Sequence, residues 1–456
     1  MVHRARRRIG RSVYVRDATQ GEQSIDGTNA GGRRPSGGNR RIRGAVLTLR
    51  RRGVPAAGLA RTYGTPLLVI DLDAVDEAIA GFAAACAPHG VEVSYAAKAF
   101  ICVGFAKHLL ATPLGLDVCS LGELLTAERA GFPSKRLTLH GAGKSEDELQ
   151  AAASGRVARI VVDSLDELRR YAAIARDGSA GVVLRSNTGI EAHTHAFVRT
   201  GGDATKFGIH ARDEKRAAAL LREHPNMRFL GLHAHIGSQI HDAAAFEANA
   251  SALIQTAARF ARFGFPVAEA IAGGGFGVAT GAGSALEDRS AAIDSMVRAL
   301  SEGAASLHVP LPRLGIEPGR AIVAAAGTTI YRVMAIKHQT TRTFVVVDGG
   351  LFENPRPAIY GAAHPVVAVE GSNRAEREVT LCGRSCENDE LGTARLPDDL
   401  RVGELLAMQM TGAYTYSMSG NYNRFPKPAV VAIRGAVHRL LLRREELEDV
   451  LRNDVV

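Results

Sequence analysis

Eight short apolar runs recur through the middle of this chain, and nearly every one closes on a polar or glycine residue able to do chemistry. They read VEVSYAAK to Lys98, LGLDVCS through Asp117, RLTLHG to His140, RIVVDS to Asp163 and GVVLRS to Arg185. The last three are RFLGLHAH to His235, AEAIAGGG to Gly275, and RLGIEPGR through Glu317 to Arg320. Between them lie stretches of helical periodicity that open on Ser-x-x-Glu: Ser120 with Glu123, Ser145 with Glu148, Ser164 with Glu167. In such boxes the serine and glutamate side chains take up free amide hydrogens of the first turn. Eight alternating β and α units predict an α/β fold, a closed parallel (β/α)8 barrel of the TIM type. Active sites of such barrels gather at the carboxyl ends of the strands. One polar residue at a strand end is ordinary turn chemistry; eight in register point to a site.

The flanks follow other patterns. Residues Gly64-Thr65-Pro66 form a turn into the strand-like LLVID, and a helix is predicted over roughly 74–87. Beyond Arg320 the segments AIVAAAGTTIYRVMAIKHQ, RTFVVVDGG, REVTLCGRSC and ELLAMQMTGAY are strand-like, with no long helix between them. The expected organisation is a basic, disordered extension over 1–53 and an N-terminal segment over 54–87 that joins the β domain. A cofactor-binding barrel follows over 88–320, then a C-terminal all-β domain, barrel or sandwich, over 321–456.

Composition adds a soluble globular class, with 46% hydrophobic and 23% charged residues. No apolar run approaches the roughly 18 residues that span a bilayer, and the basic start lacks the apolar stretch of a secretory signal. Five cysteines without zinc-ribbon spacing fit a reduced, cytoplasmic setting, and no metal site is expected. The net charge of +9 is a property of the tail. Residues 1–53 hold 14 arginines against 3 acidic residues, whereas the rest holds 42 basic and 44 acidic. So Gly- and Arg-rich a tail cannot bury a core. It remains open to nucleic acid or an acidic surface, or to being a mistaken translation start; the near-neutral body offers no second basic face.

Barrel enzymes often hold a phosphate with the loops after strands 7 and 8. Here those loops are Gly273-Gly274-Gly275-Phe276-Gly277 and Glu317-Pro318-Gly319-Arg320. Successive glycines let backbone amides approach an anion, and an arginine adds a bidentate charge. Lys98, taken singly, is a solvated rim residue. Together with the phosphate cradle and the acid Glu317 it makes the protein side of a pyridoxal 5′-phosphate site, where the acid keeps the pyridine nitrogen protonated. His235, at the end of its run, is a candidate to stack on a flat cofactor.

With these residues in place the chain resembles the fold-type III pyridoxal-phosphate decarboxylases, the alanine racemase-like group, and within them the diaminopimelate decarboxylase family. The resemblance is carried by Tyr95-Ala96-Ala97-Lys98-Ala99, Asp117-Val118-Cys119-Ser120, Leu232 to Gln239 (LHAHIGSQ), Glu317 to Arg320, Asp348-Gly349-Gly350, Cys386-Glu387 and the segment 411–423. Sharper markers are Ala192-His193-Thr194-His195, Lys206-Phe207-Gly208 and Asn354 to Tyr360 (NPRPAIY). It covers roughly residues 55–440.

The resemblance implies that Lys98 carries the cofactor and that His235 stacks on its ring. Ser238, Gly273, Gly274, Gly275 and Arg320 would hold the phosphate side, with Glu317 at the ring nitrogen and Asp117, Pro318 and Gly319 beside it. Arg356, Tyr360 and Glu387, with Arg320, would bind the far end of an amino-acid substrate, and Tyr414 would touch both cofactor and substrate. Cys386 would donate a proton and, with Glu387, reach the site across a homodimer interface. The implied reaction is decarboxylation of meso-2,6-diaminopimelate to L-lysine and carbon dioxide, the last step of lysine biosynthesis. Departures are Ala142-Gly143, Leu351-Phe352-Glu353 and Gly420, all expected near the rim, where they bear on substrate selectivity. Two rivals stand beside this reading: a sister decarboxylase of ornithine, arginine, carboxynorspermidine or a carrier-bound amino acid, and a catalytically silent pyridoxal-phosphate-binding regulator.

Overall fold

The structure, a computed structural model, describes residues 53–190, 205–278, 289–370 and 375–455. The basic tail and the Ala192–His195 marker lie outside the described residues. Strands β2 (Glu92–Ala96), β3 (Gly115–Val118), β4 (Leu137–Leu139), β5 (Arg159–Val162), β6 (Gly181–Arg185), β7 (Phe229–His233), β8 (Glu269–Ile271) and β9 (Arg313–Ile316) follow β1 (Leu67–Asp71). The eight from β2 to β9 close into a parallel barrel, with β2 against β9 in the register Glu92 to Gly315 and Val93 to Ile316. The predicted (β/α)8 barrel is thus the observed one.

A mostly stranded sheet forms the second part: β10 (Gly327–His338), β11 (Thr343–Val347), β12 (Val366–Ala368), β13 (Glu376–Cys382), β14 (Glu390–Pro397), β15 (Leu405–Gln409), β16 (Ala429–Arg434) and β17 (Val437–Leu442). β1, from the front of the chain, lies between β10 and β16. It pairs antiparallel with the first and parallel with the second. Short helices at Arg320–Val323, Arg356–Tyr360 and Leu447–Leu451 interrupt this part of the chain. The helix predicted from residue 74 begins at Leu72, because the Asp71 side chain accepts the amides of Asp73 and Ala74. No described helix is long and apolar enough to cross a membrane.

The two ends of the barrel differ in chemistry. At the amino end the first residues of four strands interlock: Arg159 pairs with Glu269 at 2.7 Å and Glu92 at 2.9 Å, and Arg313 pairs with Glu269 at 2.6 Å and Glu92 at 3.0 Å. That ring of alternating charge closes the end opposite the loops. At the carboxyl end the serine caps are set as predicted for Ser120, Ser145 and Ser164. Only Ser145 and Glu148 form the full reciprocal box. Glu123 and Glu167 instead reach one residue further back, accepting the amides of Cys119 at 2.7 Å and Asp163 at 3.1 Å. The caps therefore tie each helix start to the strand end before it.

Glu167 is drawn there by Lys144, whose ammonium donates to Glu167 at 2.8 Å and to the carbonyls of Gly141 and Val161. Both side chains are almost wholly buried. Removing one partner from such a pair strands the other charge, at a cost of roughly 3–5 kcal/mol. Lys144→Met should lower unfolding stability by about that amount, read from urea denaturation; a loss below ~1 kcal/mol would mean the Glu167 carboxylate finds another partner.

Candidate active site

Residues from the carboxyl ends of the barrel strands, joined by Tyr360, Tyr414 and Met418, enclose a cavity of about 340 Å³. Lys98, in a 3-10 turn directly after β2, opens into it. Its amine is held above its ordinary value by the Tyr414 oxygen, whose charge when ionised favours ammonium; burial opposes this, and Cys119 and Glu317 add to it.

The loops after β8 and β9 touch backbone to backbone. Glu317 donates its amide to Gly273 O at 2.9 Å. A Cβ on Gly274 would lie 2.2 Å from Glu317 O, and one on Gly275 would lie 2.5 Å from Gly237 O. Gly273 and Gly275 have φ of +73° and +102°. Only glycine fits. Gly274, Gly275 and Gly319 line the cavity, while Gly273 and Pro318 stand behind them, Pro318 accepting the amide of Ala96.

Arg320 reaches Ser238 Oγ with Nη2 at 3.1 Å and lies over the Tyr414 ring, 4.6 Å from its centroid. Arg356 donates to Ala413 O at 3.4 Å, and its Nε is buried with no hydrogen-bond partner. Burial and the nearby Arg320 charge bring Arg356 down to about 10. Both arginines are buried, each 8% exposed, and no carboxylate among the described residues pairs with either. Tyr360 sits on the same short helix as Arg356 and faces the cavity.

Five ionisable groups occupy the cavity floor. Glu317 is flanked by His233 Nε2 at 3.0 Å and His140 Nε2 at 3.1 Å. Burial alone would push its carboxyl up; the two imidazoles outweigh it and hold Glu317 well below the usual carboxylate range. Asp117 goes the other way, pushed well up by burial and by the Glu317 charge. The two acids are thus pushed in opposite directions. His235 is driven well down by burial, Lys98 and Arg185, so its ring is neutral; its Nδ1 accepts the Gly274 amide at 3.3 Å.

The structure thus brings together Lys98, Asp117, His235, Ser238, Gly274, Gly275, Glu317, Gly319, Arg320, Tyr360 and Tyr414. Cys386 and Glu387 do not line this chain's cavity. They lie exposed on a loop held to the 421–424 segment, where Cys386 donates its amide to Asn423 Oδ1 at 3.0 Å and Tyr422 hydrogen-bonds Glu387. His140 and Arg185, found at strand ends, line the cavity as well, whereas reading strand ends alone overlooks His233 and Phe207, which also line it. His233 carries a local signal: it stands two residues before His235, in a strand whose alternate residues share a face.

One expectation needs correction. Ala142 and Gly420 are exposed, the first at the cavity edge. Leu351-Phe352-Glu353 is not a rim feature. Phe352 packs on Phe425, and Glu353 is 3% exposed and hydrogen-bonded to the Tyr331 hydroxyl. Turning back on the double glycine buries Phe352 and Glu353 in the β domain.

The lysine, the phosphate-sized glycine cradle with its unpaired arginine, the neutral flat imidazole and the anionic acid fit pyridoxal phosphate group for group. Comparison with known proteins agrees on the class: residues 72–324 match the pyridoxal binding domain of the pyridoxal-dependent decarboxylases. A diaminopimelate decarboxylase of Actinosynnema pretiosum subsp. auranticum is 41% identical, covering 92% of this chain and 94% of its own. One of Bacillus subtilis is 36% identical over 88% of this chain and 94% of its own. The crystal structure of the M. jannaschii diaminopimelate decarboxylase in complex with L-lysine is 28% identical, with a TM-score of 0.82 over 89% of this chain and 95% of that one. This chain belongs to the diaminopimelate decarboxylase family of pyridoxal-dependent decarboxylases.

The buried Glu353 makes a pH prediction. Burial pushes its carboxyl up to about 8, against roughly 4.3 in an unfolded chain. The folded state thus holds this proton more tightly, and its contribution is lost as pH rises from the unfolded value through the folded one. Glu353→Gln should remove that loss. Its stability relative to wild type should improve between about pH 5 and 8, by up to about 1.4 kcal/mol per pH unit. A difference that stays flat across this window, in denaturant titrations, would show that Glu353 is ionised in the fold.

Proposed function

We propose that this enzyme decarboxylates meso-2,6-diaminopimelate to L-lysine and carbon dioxide, the last step of lysine biosynthesis, as a cytoplasmic homodimer using pyridoxal 5′-phosphate. The observation that carries the substrate is the pair of buried guanidiniums, Arg320 and Arg356, with no carboxylate partner among the described residues. A substrate with a distal carboxylate compensates such a charge. A diamine-forming substrate leaves it buried and unpaired. The same contrast disfavours the ornithine-type sister enzymes.

Lys98 would anchor the cofactor; the glycines 273–275, Ser238 and Arg320 would take its phosphate; His235 would stack on its ring; Glu317 would meet the ring nitrogen. Bound pyridoxal phosphate supplies a protonated ring that accepts the electron pair left when carbon dioxide departs. Arg356 and Tyr360 hold the distal carboxylate, and Glu387 of a second copy holds the distal ammonium. That orients the reacting end, with Tyr414 closing over it. Cys386 Sγ of the second copy then gives a proton to the substrate carbon. A silent regulator has no use for that proton donor.

Turnover of meso-diaminopimelate should exceed that of ornithine, arginine and lysine. Arg356→Ala should lose on the order of 2–5 kcal/mol in kcat/KM. Equal turnover of ornithine, or an unchanged Arg356→Ala, would move the assignment to a sister decarboxylase.

Shared sites have a separate test. Lys98→Ala and Cys386→Ala subunits, each inactive, should regain part of the activity when mixed and allowed to exchange. No recovery despite verified exchange would show that each site is built from one chain.

A further inference from the structure

Glu317 is the acid on the cavity floor whose carboxyl is held low, and each of its two oxygens faces an imidazole. Oε2 faces His233 Nε2 at 3.0 Å and Oε1 faces His140 Nε2 at 3.1 Å. The three residues come from three separate strand ends, after β4, at β7 and after β9. The two rings meet edge to face, their centroids 5.1 Å apart and their planes at 70°. A carboxylate accepts hydrogen bonds and cannot donate them, so His233 Nε2 carries the hydrogen. His233 Nδ1 is then a bare acceptor, buried with no hydrogen-bond partner. Nothing in the surroundings favours the other tautomer, and burial takes the imidazole down to about 4, so it stays neutral. His233 Nε2 donates to Oε2, while His140 Nε2 stands beside Oε1 without making a hydrogen bond. Both rings approach Glu317, one to each oxygen, while the carboxylate still borders the cavity.

We propose that His233 and His140 are positioning residues for the cofactor's ring nitrogen: they hold the Glu317 carboxylate in plane and as an anion at the cavity wall, and so keep a proton on that nitrogen. The proposal rests on the pyridoxal-phosphate reading of the preceding section. Asp117 fits the same design. His140 Nε2 is 3.8 Å from Asp117 Oδ1, too far for a good hydrogen bond, and Asp117 Oδ2 has no partner. The imidazoles therefore approach one carboxyl of the pair far more closely than the other.

The test is cofactor binding by full-length protein stripped and reconstituted, with pyridoxal phosphate and with 1-deazapyridoxal phosphate, which has C–H in place of the ring nitrogen. Wild type should bind the natural cofactor at least about tenfold more tightly than the deaza compound, the scale of a charge-assisted hydrogen bond. His233→Leu should bring that ratio close to one. His233→Gln, whose amide reaches roughly where Nε2 lies, should keep most of it. His140→Leu, less buried, should shift the ratio in the same direction and covers the case in which His233→Leu fails to fold. A leucine variant that weakens both compounds equally and keeps the wild-type ratio has lost structure only, and the proposal is wrong. Wild type that binds neither compound would overturn the cofactor reading itself, and this proposal with it. Wild type that binds both but yields no lysine from diaminopimelate would overturn the substrate assignment alone.

Discussion

Burying charge is the constraint around which this molecule is arranged. A barrel mouth that holds an amine, two guanidiniums and two carboxyls within one small cavity cannot leave each of them to water. Unpaired, each would shift towards its neutral form or demand several kcal/mol of desolvation. The chain meets this in three ways. Glu317 keeps its charge because His233 donates to it and a second imidazole, His140, stands 3.1 Å from its other oxygen. Asp117 has no such support, and burial and the Glu317 charge push its carboxyl well up. Arg320 and Arg356 keep their charges with hydroxyl, carbonyl and ring contacts but no anion, which leaves them complementary to an anionic ligand.

The same constraint accounts for the outer parts of the fold. The helix caps do more than satisfy the first turn, since Glu123 and Glu167 reach back to pin Cys119 and Asp163 beside the cavity. Asp163 in turn stands 3.5 Å from Arg185, whose guanidinium lies 4.3 Å from the centre of the Phe207 ring. Rigidity is thus passed inward from cap to strand end to cavity wall, where an ångström of misplacement is costly to catalysis. At the far end the ring formed by Glu92, Arg159, Glu269 and Arg313 closes the barrel with charges that satisfy one another.

The β domain completes the cavity instead of merely following it. Tyr414, at φ 59°, donates its amide to Ala99 O at 2.8 Å, and Ser417 donates to the same carbonyl at 3.0 Å. Ala99 is the neighbour of Lys98. The segment that brings Tyr414 over the mouth is therefore fastened to the turn that presents the lysine. Arg356 and Tyr360 arrive on a five-residue helix from the same domain.

Much of this was legible in the sequence because it is local. Alternating apolar runs and Ser-x-x-Glu starts specify strand and helix within a few residues, and a parallel sheet of eight such units has few ways to close. Strand ends then mark the functional face without any coordinates. Lys98, Glu317 and the glycines 273–275 are found that way. The tertiary structure decided what depends on distance through space. His140 and Glu317 are 177 positions apart and meet only because the barrel closes. Leu351-Phe352-Glu353 reads as a polar-edged loop, yet its burial follows from how the chain turns against Tyr331 and Phe425. The opposite directions in which the two acids are pushed could not be read from residue type either. Glu317 and Asp117 are both carboxyls at strand ends, and the difference comes from which neighbours desolvate, repel or donate to each, a property of the closed barrel and not of either segment.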